Sequence, residues 1–269
     1  MNFTTICEII LTLIQILILA YGIVRFLRYT GKGRNAALPA LFIFALLNLL
    51  MCNLYWLAYD VLRPDQWMPI AADEIAEAAG NLLLAGFLGM RMGKAKKPLH
   101  VGEFVFSLLF MEANAFLWAE WSDEWIQSFL VAIPYIFLLY RTIRGLNLSD
   151  AASKRQKGIL LFTLLLIIAL HYTALMVEEE TAWVLDRINY AIMAVPSVLL
   201  LYLFIKAGNS GSAVGGKRLY LSVLLYLWTM LASFMSNSIF YSIALAETDL
   251  SIILIYMAVA KEIPHDDLS

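Results

Sequence analysis

Four residues between positions 73 and 81 hold the densest chemistry in the chain. At about 100° per helical residue, Glu77 stands roughly 40° from Asp73, Asn81 roughly 80° and Glu74 roughly 100°. Asp73, Glu74, Glu77 and Asn81 therefore share one side of a helix, with Ala71, Ala72, Ala78 and Ala79 behind them. Carboxylates grouped this way attract cations, and an amide beside them adds a directional hydrogen bond. The surrounding run, 70–90, is otherwise apolar. A carboxylate at the centre of a spanning helix costs about 2.5–3.5 kcal/mol on insertion scales, so it is a functional candidate by default.

The same reasoning selects Glu112, His171, Asp186 and Arg187. At 1.5 Å per residue, Glu112 lies about 14 Å from Trp121 at the end of its run. Tyr190, Met193 and Ser197 follow Asp186 along one helix face. The expected ligand-binding set is Asp73, Glu77, Asn81, Glu112, His171, Asp186, Arg187 and Tyr190. Glu77 and Glu112 would supply charge to one shared pocket, Asn81 and His171 hydrogen bonds. Arg187 would pair with Glu77, Glu112 or Asp186. A second polar group, Asn48, Asn53, Tyr55, Trp56, Tyr59 and Asp60, closes the run 36–59. Thr229, Ser233, Ser236, Asn237 and Ser238 read as hydrogen-bonding glue between helices.

No nucleophile triad, phosphate loop, paired-cysteine motif or metal-ligand cluster is legible, so no catalytic residue, metal or cofactor is expected. Glu178-Glu179-Glu180 begins an E-E-x-x-x-R pattern, but Trp183 or Val184 stands where its Arg belongs. Cys7 and Cys52 read as two small packed thiols.

These residues must be positioned by membrane helices. The chain has 269 residues, 62% hydrophobic and 15% charged, with mean hydropathy +0.77. Soluble domains carry about 45–50% apolar and about 25% charged residues. That excludes an ordinary soluble domain and a disordered chain. Runs long enough to span occupy 4–24, 36–59, 70–90, 101–121, 124–141, 158–177, 182–205 and 219–245. A ninth, 250–262, reads as too short for an untilted span. The acidic pair Glu247 and Asp249 would sit in a loop before it.

Charge gives the orientation. Of 19 Lys and Arg, only Arg63 and Arg187 fall outside the loops after spans 1, 3, 5 and 7 and the C-terminal segment. The positive-inside rule makes that side cytoplasmic and the N-terminus external, with a first helix that is retained. Apart from Glu103, Asp150, Glu262, Asp266 and Asp267, the carboxylates gather on the outer side. Ala132–Arg144 resembles Ala194–Lys206, sharing Pro134 with Pro196 and Tyr140 with Tyr202, which suggests parallel repeats of helix hairpins.

The sequence thus predicts an all-α, polytopic membrane helical bundle. It has eight full transmembrane helices plus a shorter ninth, forming a single integral membrane domain over 1–269. It fits a plasma or bacterial inner membrane. The expected partners are the lipid bilayer, a small cationic or amine ligand in an outward-facing acidic pocket, and a cytoplasmic or membrane protein partner, but not nucleic acid. The role would be sensor-like or transport-associated. The alternatives are a transporter or channel for a cation or small solute, and an intramembrane hydrolase pairing Glu112 or Asp186 with His171.

Overall fold

A computed structural model of the chain describes residues 3–30, 36–61, 72–92, 99–122, 125–207, 216–234 and 238–262. Among these residues there are nine α-helices and no strand: α1 (Phe3–Thr30), α2 (Ala37–Trp56), α3 (Ala72–Met92), α4 (Val101–Ser122), α5 (Trp125–Leu148), α6 (Lys154–Leu175), α7 (Glu179–Lys206), α8 (Lys217–Phe234) and α9 (Ser238–Glu262). A π-turn over Leu57–Val61 prolongs α2. Seven of the described helices, all but α3 and α8, are long and apolar enough to cross a bilayer. The chain is an integral, multi-pass membrane protein.

Helix α8 is enclosed by its neighbours. Every residue from Leu219 to Thr229 is buried, behind α5, α7 and α9. A helix enclosed by protein can carry Tyr220, Ser222, Tyr226, Trp228 and Thr229 where a lipid-facing helix could not. Helix α3 likewise keeps its carboxylates on a face turned inward. It approaches α2 through Gly80, where a Cβ would stand 3.0 Å from Leu49 and 3.2 Å from the Ala45 carbonyl.

The helices alternate in direction, and side-chain contacts fix which termini meet. Arg144 near the end of α5 bonds Glu103 at the start of α4 (3.3 Å). Lys157 at the start of α6 donates to Asn147 of α5 (2.7 Å). Arg218 at the start of α8 donates to the Phe204 carbonyl near the end of α7 (3.3 Å). These termini form a basic end. At the opposite, acidic end, Gln127 at the start of α5 donates to Glu74 at the start of α3. A ring runs through α1, α2, α3, α5, α8 and α9, while α4, α6 and α7 pack outside it.

Two expectations about the last helices are corrected. The apolar run 219–245 is not one helix, since α8 ends at Phe234 and α9 begins at Ser238. Nor is the ninth helix shorter: α9 has 25 residues, and the 18-residue α8 is the shortest described helix. Ser and Asn near 236 compete for backbone hydrogen bonds and favour a helix boundary, which the unbroken hydropathy concealed. Glu247 and Asp249 consequently lie in the middle of α9, not in a loop.

Much of the intramembrane polarity is spent locally. Asn48, Asn53, Ser107, Asn114, Thr142, Thr163 and Thr248 donate to carbonyls four residues back. Thr229 and Ser233 donate to carbonyls three residues back in α8, so the expected glue between helices is not made there. Ser236 and Asn237 lie outside the described residues. Helices α5 and α7 each contain the matched proline, Pro134 and Pro196. The matched tyrosines differ in setting: Tyr140 is buried and Tyr202 exposed.

Candidate functional site

A cavity of about 290 Å³ lies inside the ring, toward its acidic end. Helix α1 lines it with Thr12 and Gln15; α2 with Leu49, Cys52, Asn53 and Trp56. Asp73 and Glu74, and Glu77 one helical turn on, come from the inward face of α3. Helix α8 contributes Tyr226, Met230 and Ser233; α9 contributes Tyr241, Leu245, Thr248 and Ile252. The α9 set recurs every three or four residues, so one stripe of that helix faces the cavity. No Lys, Arg or His is among the described residues that line it.

The carboxylates are held from α5. Buried Glu77, 6% exposed, accepts a hydrogen bond from the hydroxyl of Tyr135, which is fully shut from solvent. Tyr135 is steadied by Trp118 of α4, edge to face at 6.0 Å. One turn beyond Glu77, buried Asn81 accepts from the Tyr226 hydroxyl at 3.1 Å. The amide nitrogen of Asn81 has no hydrogen-bond partner among the described residues. A short polar chain thus leads from the cavity wall toward the middle of the bundle.

Beyond that point the ring is apolar. Phe26 meets Phe42 edge to face at 4.9 Å, Phe42 meets Phe87 at 5.3 Å, and Tyr256 closes on Phe26 at 5.2 Å. Leu19, Leu84 and Leu88 fill the space around them. The cavity is therefore floored by a dry plug between it and the basic end.

The eight residues selected from sequence are divided by the fold. Asp73 and Glu77 line the cavity, and Asn81 stands behind its Tyr226 wall. Glu112 does not join them. It is half-buried on α4, which packs on α5 and α6 outside the ring, so Glu77 and Glu112 do not share this cavity. His171 of α6 contacts the Asn189 amide of α7 and lies 3.1 Å from the Ile167 carbonyl of its own helix. No pairing of His171 with a carboxylate is found among the described residues. Arg187 is exposed on α7 and lies over the Trp183 ring at 4.7 Å, not against Glu77, Glu112 or Asp186. Asp186 is half-buried on α7 and outside the cavity. Tyr190 stacks on Phe240 at 4.0 Å and lines a separate cleft of about 200 Å³ with Met193 and Glu247.

Several groups escaped the sequence reading. Glu247 accepts from Ser197 at 2.6 Å, and Trp228 donates to the same hydroxyl at 3.1 Å. Asp249 is 7% exposed, and its Oδ2 has no hydrogen-bond partner among the described residues. It precedes Tyr256 by seven residues, which puts both on nearly one face of α9. Tyr256 packs on Tyr21 and Phe26 of α1, so that face is turned to α1. The tyrosines that hold Glu77 and Asn81 carried no signal, since an isolated Tyr in an apolar helix has many uses. The Ser-Asn-Ser stretch at 236–238 of the sequence was the clue available for Glu247 and Asp249.

No protein-family model, curated protein or solved structure matches the chain.

Proposed function

We propose that the chain binds a small ligand bearing a positively charged nitrogen, in the cavity between α1, α2, α3, α8 and α9, entering from the acidic end. The observation that carries this reading is the lining: Asp73, Glu74 and Glu77 face one cavity with no basic side chain among its described residues. Such a concentration of negative charge between low-dielectric walls raises the local density of cations. Trp56, Tyr226 and Tyr241 add aromatic surface suited to cation–π contact. The volume, about 290 Å³, is at the low end for ligand pockets and suits an amine of few heavy atoms. The plug of Phe26, Phe42 and Phe87 supports a receptor-like pocket over a pore. The basic end faces the cytoplasm, by the positive-inside rule.

Calorimetric titration with tetramethylammonium, with tert-butanol as the neutral control, tests the proposal. Losing a hydrogen bond or ion contact to a charged group costs about 1.5–3 kcal/mol, so Glu77→Gln lowers the ammonium affinity at least about tenfold. Glu112→Gln leaves it unchanged. Equal binding of both probes, or an indifferent Glu77→Gln, would overturn the reading.

A second reading, transport of the same ligand, is favoured by Glu247 and Asp249 halfway along α9. It requires the phenylalanine plug to part. Accumulation of a labelled amine in proteoliposomes separates it from simple binding.

A further inference from the structure

A second cavity is larger than the acidic one. A slot of about 430 Å³ opens near the basic end between α4 and α6, with α5 and α8 behind. Its body is hydrocarbon: Phe106, Phe110, Leu139, Leu164, Leu221 and Leu224 are among its walls. Leu161 lines the slot yet keeps 42% of its surface exposed, so the slot opens sideways, where a membrane helix meets lipid.

Polar groups occur at one end only. Glu103, 10% exposed, is bonded to Arg144 at 3.3 Å and accepts from Asn147 at 2.7 Å. His100, 60% exposed, stands 3.9 Å from the same carboxylate. Lys157 donates to the amide oxygen of Asn147 at 2.7 Å. The charge balance follows: Glu103 offsets Arg144, while the Lys157 ammonium rests on a neutral amide and keeps its charge and further N–H donors. The slot thus has an apolar body and, at its mouth, a cation with no carboxylate partner among the described residues. An apolar groove that opens sideways and carries an ammonium at its mouth is complementary to one class of molecule, an amphiphile with an anionic head. The bilayer supplies that class directly.

We propose that this slot binds an acyl chain of an anionic phospholipid, with the lipid phosphate held by Lys157 and His100. The site is independent of the amine cavity: it lies at the other end of the bundle and shares no lining residue with it.

The test uses the full chain in dodecyl maltoside, with dioleoylphosphatidylglycerol, dioleoylphosphatidylcholine or inorganic phosphate added and Tm followed. Phosphatidylglycerol gives a saturable rise in Tm at lower concentration than phosphatidylcholine, and phosphate alone gives none. Lys157→Gln weakens the phosphatidylglycerol response about fivefold, the loss expected for one interfacial lysine. Arg155→Gln, exposed two residues earlier in α6 and outside the slot, does not. Leu161→Trp, at the exposed mouth, abolishes the response by filling it. Stabilisation by phosphate alone would mean an anion site without a chain slot and would overturn the proposal. So would equal responses to the two lipids in the unaltered protein, a measurement that needs no variant. A Leu161→Trp protein that still responds fully, or equal losses in Lys157→Gln and Arg155→Gln, would do the same.

Discussion

Replacing Tyr135 by Phe removes one oxygen and leaves the ring in place against Trp118. The group left behind is Glu77, buried and facing the cavity without its phenolic donor. Hydrogen bonds between transmembrane side chains average about 0.6 kcal/mol, and those to charged acceptors reach about 1.5–3 kcal/mol. Tyr135 is fully enclosed, Glu77 keeps only 6% of its surface exposed, and the acceptor is a carboxylate, so the upper range applies. Tyr135→Phe is expected to cost about 2 kcal/mol of stability. Glu77→Met removes the acceptor and keeps much of the volume. The double variant then isolates the bond, because a cycle of the two substitutions reads their coupling. Unfolding of the four proteins in mixed micelles, followed by far-ultraviolet circular dichroism, gives the cycle. Coupling of about 1 kcal/mol or more is the expected result. Strict additivity, or a Tyr135→Phe protein as stable as the parent, would refute the argument that α5 holds the carboxylate from behind.

Orientation is checked by a single cysteine at Ser153 in a protein lacking Cys7 and Cys52: it should resist a membrane-impermeant thiol reagent in intact cells, since it stands among the basic loops. Labelling there would invert the topology. A Cβ at Gly145 would overlap the fully buried Tyr220 ring, so Gly145→Ala should destabilise by about 1–3 kcal/mol through overpacking of α5 against α8, measured as a fall in Tm. Ser197→Ala removes the donor to Glu247 and the acceptor for Trp228 together, and a loss of about 1–3 kcal/mol in the same assay is expected.

The membrane class was legible because hydropathy and charge are summed over many residues, and no local detail can reverse them. The inward stripe of α3 was legible for a similar reason: helical geometry alone puts Asp73, Glu74 and Glu77 together. What failed was pairing across helices. Glu112 was joined to Glu77 because both are intramembrane acids, but depth along a helix says nothing about which neighbour it faces, and α5, itself part of the ring, stands between α4 and the cavity. Glu247 and Asp249 were misplaced by the assumption that charge marks a loop. In α9 one of them finds Ser197 inside the protein.

Cys52 lines the acidic cavity, and this makes the central claim directly measurable. In a protein with Cys7 replaced by Ser, Cys52 can be challenged with a cationic and an anionic methanethiosulfonate of similar size. A cavity lined by Asp73, Glu74 and Glu77 concentrates the cation and repels the anion, and focused fields of this kind change encounter rates by about tenfold or more. The cationic reagent should therefore react with Cys52 at least about tenfold faster, a preference that Glu77→Gln reduces and tetramethylammonium protects against. Equal rates for the two reagents, or no reaction with either, would contradict an acidic, accessible pocket.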